Sequence, residues 1–155
     1  MIKKAFIFSV LSLVACQSSS EEVYMKTLDG QWDAKKTQNF PFEIKDAQNQ
    51  KNLLFVVRNN NEYPYSNIRF IVNLSDEKGK NKTIDTVNYL LAQPNGEWLG
   101  SGFGETKEII FQYKLNYKFP KNGKYNLGIT QAMRTNKLPG IEDIGIKIET
   151  AKPIS

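Results

Sequence analysis

Residues 109–119 read I-I-F-Q-Y-K-L-N-Y-K-F, and this segment decides the fold class of the chain. Apolar or aromatic side chains recur at every second position, and polar side chains fill the positions between them from Gln112 onwards. A period of two places the recurring residues on one face of a β-strand, whereas an α-helix needs a period of about 3.6. The residues expected on the buried face are Ile109, Phe111, Tyr113, Leu115, Tyr117 and Phe119. We therefore predict a strand here, with one face in the core.

Other segments of the chain show strand patterns of the same kind. They are residues 38–44, 51–59, 67–75, 83–91, 125–133 and 144–148. Residues 53–57 form a continuous apolar run, which is typical of a central strand buried on both faces. No convincing amphipathic helix of ten residues is visible. The pattern predicts an all-β fold, a single antiparallel β-sandwich of about seven or eight strands, and it leaves open whether the strands follow a jelly-roll order.

Polar and glycine-containing segments predict the turns. Residues 77–81 (E-K-G-K-N) provide one turn, and residues 94–96 (P-N-G) end the strand at 83–91. Asn122-Gly123 lies directly after the segment 109–119, and this dipeptide is a strong hairpin signal. We predict a hairpin that pairs the segments on either side of it.

The N-terminal region has the features of a lipoprotein signal peptide. Lys3 and Lys4 precede an apolar run over residues 5–15, which is too short to span a bilayer. L-V-A-C at 13–16 matches the bacterial lipobox, so we expect cleavage after Ala15 and a palmitate-type diacylglyceryl anchor on Cys16. The predicted layout is a signal peptide at 1–15, lipidated Cys16 and a flexible tether through residue 22, and a β-sandwich domain at 23–155.

The charge of the chain is modest and dispersed. It has 21 basic and 16 acidic side chains, a formal net charge of +5, and loss of Lys3 and Lys4 with the signal peptide would lower this to +3. The basic residues form no stripe or tract in the sequence, so we expect no nucleic-acid partner. With Cys16 lipidated, no thiol remains for a disulfide or for catalysis.

Residues suited to catalysis are scarce. The chain has no histidine, which removes the Ser-His-Asp and Cys-His arrangements and the commonest transition-metal ligand. Two carboxylate pairs, Glu105 with Glu108 and Glu142 with Asp143, could serve glycoside hydrolysis, but their positions at a strand start and in a polar turn favour solvated surface. We expect no enzyme, no cofactor and no metal site.

Several clusters of residues, in order along the chain, resemble the GldH family of gliding-motility lipoproteins from Bacteroidetes. They are N-N-N-E-Y-P-Y-S-N at 59–67, D-T-V at 85–87, G-E-W-L-G-S-G-F-G at 96–104, F-P at 119–120 with G-K-Y at 123–125, and Q-A-M-R at 131–134 leading through L-P-G-I-E-D-I-G at 138–145. The similarity covers most of the chain after the tether, and the lipobox agrees with it.

The resemblance implies a non-enzymatic component of the gliding machinery, which in this phylum is tied to type IX secretion. Its expected partners are the membrane, through Cys16, and other envelope proteins of these systems. Acidic residues directly after the lipidated cysteine can direct export to the surface in this phylum, but Glu21 and Glu22 come late, behind three serines. This favours the periplasmic face of the outer membrane.

A carbohydrate-binding lipoprotein is the alternative function. Tyr63, Tyr65 and Trp98 would form its platform, and a coplanar, solvent-facing row of these rings would favour it, whereas packing into the core would favour the gliding role.

Three further residues are candidates for a partner surface or a structural role. Residues 100–104 (G-S-G-F-G) fail the dinucleotide fingerprint, because Glu105 occupies the final glycine position and a strand follows. We predict instead a tight turn in which Gly102 and Gly104 adopt conformations that a Cβ would strain. Arg134 is predicted to pin the following loop, while Gln131 shares the buried face of the preceding strand and needs a hydrogen-bond partner.

Overall fold

The computed structural model describes residues 20–153, and all the regular secondary structure in that range is β-strand. The predicted signal peptide and Cys16 lie outside the described residues. The strands are β1 (Glu21–Thr27), β2 (Gln31–Asp33), β3 (Gln38–Ile44), β4 (Lys51–Asn59), β5 (Asn67–Asp76), β6 (Thr83–Leu90), β7 (Lys107–Tyr117), β8 (Gly123–Gln131), β9 (Lys137–Pro139) and β10 (Ile141–Thr150).

The eight longer strands form two four-stranded antiparallel sheets. One sheet has the order β1-β10-β4-β7 and the other has the order β3-β8-β5-β6, while β2 and β9 pair with each other. Every connection between consecutive long strands crosses from one sheet to the other, except the turn between β5 and β6. This is the strand order of a jelly roll. The predicted antiparallel β-sandwich is confirmed, and the jelly roll is the order that it adopts.

Aromatic and branched side chains from both sheets fill the space between them. Residues 53–57 of β4 are all less than a tenth exposed, as expected for a central strand. Phe55 of β4 meets Phe70 of β5 edge-on, with ring centroids 5.9 Å apart, and Trp32 approaches the same Phe70 ring at 5.5 Å. Burial of each such ring removes roughly 150–250 Å² of surface from water, so these contacts between the sheets and with β2 are a main source of stability.

β7 departs from the predicted alternation after Tyr113. One irregularity in its pairing with β4 reverses the facing of Lys114 and Leu115, and a second lies before Tyr117, which packs against the core as predicted. Lys114 turns inward, where its Nζ lies 3.2 Å from the Asp85 carboxylate and 4.9 Å from the Tyr113 ring centroid. Leu115 is 48% exposed, so its predicted place in the core was wrong, whereas Phe119 is buried in the loop after the strand.

The predicted hairpin at Asn122-Gly123 was also wrong. β7 lies in one sheet and β8 in the other, so the two strands do not pair. The Asn122 side chain instead accepts a hydrogen bond from the Ala47 N–H at 2.7 Å and donates one to the Lys45 carbonyl at 2.8 Å. The dipeptide therefore forms a corner that carries the chain between sheets and ties it to the β3–β4 loop.

β1 begins two residues before the predicted start of the domain. Glu21 and Glu22, which were assigned to the tether, pair with Glu149 and Ile148 of β10. The strand lies at a sheet edge, and most of its side chains are exposed. It therefore lacks the apolar alternation by which a strand is recognised.

Because the strands are antiparallel, the loops of the sandwich lie at two opposite ends. At the end where residue 20 enters β1, which we call the basal end, lie loops 45–50, 77–82 and 118–122 and the C-terminal residues 151–153. At the opposite end, which we call the distal end, lie loops 28–30, 34–37, 60–66, 91–106 and 132–136.

Candidate partner-binding surface at the distal end

The candidate site residues after Cys16, Tyr63, Tyr65, Trp98, Gly102, Gly104 and Arg134, all lie at the distal end, but their contacts differ from those predicted. Tyr63 is 3% exposed, and its hydroxyl donates a hydrogen bond to the Asn67 carbonyl at 2.6 Å. Burial raises the pKa of the Tyr63 hydroxyl. Trp98 is half-buried, and its Nε1 donates to the Asn61 Oδ1 at 3.0 Å. These two side chains hold loops 60–66 and 91–106 together.

The three rings do not form a flat platform. The Tyr65 ring stands at 78° to the Tyr63 ring at a centroid distance of 5.8 Å, and the Trp98 ring is inclined at 53° to Tyr63 at 6.4 Å. A sugar stacks against coplanar exposed rings, and here one ring is buried and the others are tilted. The geometry therefore meets the criterion for core packing and not the one for a glycan platform.

The glycine-containing loop is a tight turn that projects one aromatic side chain into solvent. Gly102 has φ of 155°, and a Cβ there would lie 2.6 Å from the Thr106 carbonyl oxygen. Gly104 has φ of 72°, in the left-handed region. Phe103, between them, is fully exposed. Sequence reasoning weighed the glycines and missed Phe103, although an apolar side chain isolated between two glycines has no strand pattern to bury it.

Arg134 does not pin the loop that follows it. Its side chain is exposed and makes no hydrogen bond or ion pair with any residue between 20 and 153, so the predicted pinning role was wrong. It lines an open groove of about 330 Å³ together with Tyr65, Arg69 and Met133. Arg69 is likewise exposed and without an ion-pair partner in the described part of the chain. The groove thus presents two guanidinium groups beside an aromatic ring.

Gln131 holds the loop in place of Arg134. This side chain is 2% exposed. Its Nε2 donates to the Thr135 carbonyl at 2.8 Å and its Oε1 accepts from the Met133 N–H at 2.8 Å. The predicted need of Gln131 for hydrogen-bond partners is confirmed. A buried side-chain amide can hold a loop in this way, because its NH₂ group donates to a backbone carbonyl while its oxygen accepts from a backbone N–H.

Exposed apolar groups and free guanidinium groups therefore share the distal end. Leu90 and Leu99 are 58% and 44% exposed, and both are in or next to the loop that carries Phe103. We define the distal surface as Tyr65, Arg69, Leu90, Leu99, Phe103 and Arg134. Aromatic and arginine side chains are the groups that most often dominate protein–protein binding energy. The arrangement is suited to binding a protein partner.

Three of the four carboxylates considered for catalysis have structural partners, and the fourth, Glu105, is exposed. Glu108 accepts a hydrogen bond from Arg58 Nε at 2.7 Å, and Asp143 lies 3.5 Å from the same guanidinium. Glu142 accepts from Asn60 at 3.1 Å and from Thr106 at 2.7 Å. Residues 20–153 contain no cluster of three acidic, cysteine or histidine side chains that could hold a metal ion. The same range holds no helix of the length and apolarity needed to cross a bilayer.

Comparison with known proteins assigns the chain to a family. Residues 20–148 match the family described as GldH lipoprotein. The chain belongs to the GldH lipoprotein family. The gliding motility lipoprotein GldH homolog of Christiangramia forsetii is 37% identical to it over 151 residues, covering 93% of this chain and 92% of the relative. The gliding motility lipoprotein GldH of Flavobacterium johnsoniae is 32% identical over 150 residues, with 92% of both chains covered.

Membership of this family makes the protein a gliding-motility lipoprotein with a lipid-anchored location in the cell envelope. A solved structure, dimeric latent PorU from Porphyromonas gingivalis, aligns with 86% of the chain and 13% of its own length at a TM-score of 0.39 and 11% identity. Similarity this low bears on neither fold nor function.

Proposed function

We propose that this protein is a non-enzymatic interaction module of the gliding machinery, functionally linked to type IX secretion. In this proposal, acyl chains on Cys16 hold it in the outer membrane, and the distal surface binds another protein of the envelope. The domain then acts as a fixed support on the membrane, and its chemistry is that of recognition.

The main observation in support of this proposal is the exposure of the Phe103 side chain. A phenylalanine that is fully exposed gains nothing in the isolated domain, yet burying a side chain of this size against a partner contributes roughly 1.5–3 kcal/mol. Arg69 and Arg134 add two cations that have no partner in the described part of the chain, so a carboxylate on the partner could bind each of them. The distal surface also lies at the end of the sandwich opposite to residue 20, where a partner can approach without obstruction by the membrane.

The position of Glu21 and Glu22 supports the periplasmic face of the outer membrane. Both residues belong to β1, and Glu21 lies 3.0 Å from Lys147. They are engaged in the folded domain and do not form a free acidic segment next to Cys16.

Complementation of a deletion strain tests the proposal. We expect the deletion to abolish gliding and to impair secretion of a type IX cargo. Phe103→Ala/Arg134→Ala should fail to restore gliding at normal envelope abundance, because it removes the exposed ring and one free cation while leaving the core intact. Ile84→Ala/Lys124→Ala is the matched control, since Ile84 is 60% exposed and Lys124 is exposed, away from the distal end. It should restore gliding fully.

Each readout bears on a separate part of the proposal. Full gliding by the Phe103→Ala/Arg134→Ala strain would contradict the distal surface as the binding site. Normal cargo secretion by the deletion strain, with gliding lost, would contradict the link to type IX secretion.

A further inference from the structure

The basal end gathers exposed lysines from distant parts of the sequence. Its three loops and the C-terminal residues carry Lys45, Lys78, Lys80, Lys82, Lys118, Lys121 and Lys152, all exposed. The same segments contain only two acidic residues, Asp46 and Glu77. The lysines are spread over more than a hundred positions of sequence, and the strand order brings them to one end.

Most of the positive charge of these lysines is not neutralised within the described part of the domain. None of the seven forms an ion pair with another residue in the range 20–153. Asp46 is already bound to Lys51 at 2.8 Å. The nearby Asp76 is 9% exposed, and its oxygens accept hydrogen bonds from the Lys78 and Lys80 N–H groups and from Asn81. These donors are neutral, so Asp76 keeps its negative charge and, with Glu77, offsets part of the charge of the seven lysines.

Acidic residues on the neighbouring strand ends offset only part of this charge. Glu43 of β3 lies opposite Lys124 of β8 in register. Glu21 and Glu149 share Lys147, at 3.0 and 3.7 Å, and Glu22 accepts a hydrogen bond from the Tyr24 hydroxyl. The loops at the distal end have the opposite balance. There the acidic residues Asp29, Glu62, Glu97 and Glu105 outnumber the basic residues Lys35, Lys36 and Arg134. The sandwich therefore has a charge polarity along its length, with the positive pole where residue 20 enters β1.

The chain length between Cys16 and the domain keeps this pole close to the membrane. Ser20 is the fourth residue after Cys16, and a fully extended chain spans at most about 14 Å over those four steps. The Debye length at physiological ionic strength is about 8 Å, so loops that reach toward the bilayer from the basal end lie within range of its surface charge.

We propose that the basal end docks on anionic phospholipid headgroups of the leaflet that holds the acyl anchor. This rests on the lipidation of Cys16 put forward in the proposed function. The ammonium groups of the flexible lysine side chains bind the headgroup phosphates, while the acyl chains supply most of the affinity for the bilayer. Docking orients the domain. Because β10 has ten residues at about 3.3 Å each, the distal surface is then held roughly 30 Å from the headgroups, facing the partner.

Binding to vesicles of the mature protein, extracted from cell envelopes, tests the docking. One set of vesicles contains phosphatidylcholine alone, and the other contains phosphatidylcholine with 30% phosphatidylglycerol. Vesicle association is measured by flotation, and the accessibility of each lysine is measured by its rate of acylation with an amine-reactive ester, read by mass spectrometry. Lys35 and Lys36 at the distal end are exposed and serve as internal controls.

We expect flotation with both vesicles, and acylation of Lys118 and Lys121 about tenfold slower on the anionic vesicles than on the neutral ones. Each surface lysine near an anionic membrane is worth about fivefold in binding, so several of them together suffice. The difference should disappear in 0.5 M salt and in the Lys78→Gln/Lys80→Gln/Lys82→Gln variant. It should persist in the matched Lys35→Gln/Lys36→Gln variant, and in the wild-type protein Lys35 and Lys36 should react equally on both vesicles.

The possible failures are distinguishable. Flotation with both vesicles but equal acylation of Lys118 and Lys121 overturns the docking and leaves the lipid anchor standing. Flotation with anionic vesicles alone supports the docking and overturns the anchor, and flotation with neither overturns both.

Discussion

Replacing Gln131 by methionine should destabilise the domain by roughly 2–4 kcal/mol. Methionine has nearly the same length and volume as glutamine, so the substitution removes hydrogen bonds without opening a large cavity. Two bonds of 2.8 Å are lost, to the Thr135 carbonyl and from the Met133 N–H, together with a longer contact of 3.4 Å to the Trp32 carbonyl. Each good bond contributes about 1 kcal/mol, and a backbone group left without a partner costs roughly 1–3 kcal/mol more.

Urea unfolding of the mature protein, followed by tryptophan fluorescence, measures this loss directly. Trp32 is 1% exposed and its carbonyl contacts Gln131, so its emission reports the same region. For a domain of this size the expected change corresponds to a fall in Tm of about 6–15 °C. Gln112→Met is the matched control, because Gln112 is exposed on β7 and the same chemical change there should cost less than about 0.5 kcal/mol. If the two variants unfold at the same urea concentration with equal slopes, Gln131 does not hold the loop and the argument from its hydrogen bonds fails.

Three further outcomes are expected. Gly102→Val should lower stability by about 1–3 kcal/mol, because its Cβ would meet the Thr106 carbonyl, and a melting curve like that of the wild type would show that the loop yields freely. Asp46→Asn should reduce the acid sensitivity of unfolding. The hydrogen bond from Lys51 lowers the pKa of Asp46, so this contribution is present above the unfolded-state pKa of about 3.9 and is lost as the pH falls through the lower pKa of the folded state. Wild type and variant should therefore differ in stability at pH 7, and the difference should shrink as the pH falls through that range. Cys16→Ser should leave an unprocessed or soluble protein, and fractionation that finds it processed and wholly in the outer membrane would contradict lipid anchoring.

Local pattern predicted the long strands because half-buried strands must alternate. The bounds of β3 and β4 agree with their predicted ranges, and residues 53–57 occupy the centre of a sheet as expected. β1 escaped notice because an exposed edge strand needs no apolar face. β2 and β9 have three residues each, too few for any period to be visible, and they form around buried Trp32 and Leu138.

The errors arose where one local signal is compatible with two tertiary arrangements. Asn122-Gly123 predicts that the chain turns, but the packing of buried Phe119 and the change of sheet decide that the flanking strands do not pair. The alternation in residues 109–119 predicts a strand, but only the pairing of β7 with β4 shows the irregularity that turns Leu115 outward.

The order of residues along the chain was sufficient for the all-β class, for the expected lipobox and for the resemblance to GldH proteins, because these depend on local period and short motifs. The composition of the two ends of the sandwich could not be derived in that way. The lysines look scattered in sequence, and Phe103, Arg69 and Arg134 lie in three separate segments. Successive long strands run in opposite directions along the sandwich, so the loops between them lie alternately at its two ends. Long-range strand pairing therefore gathers the basic loops at the basal end and the six residues of the distal surface at the distal end.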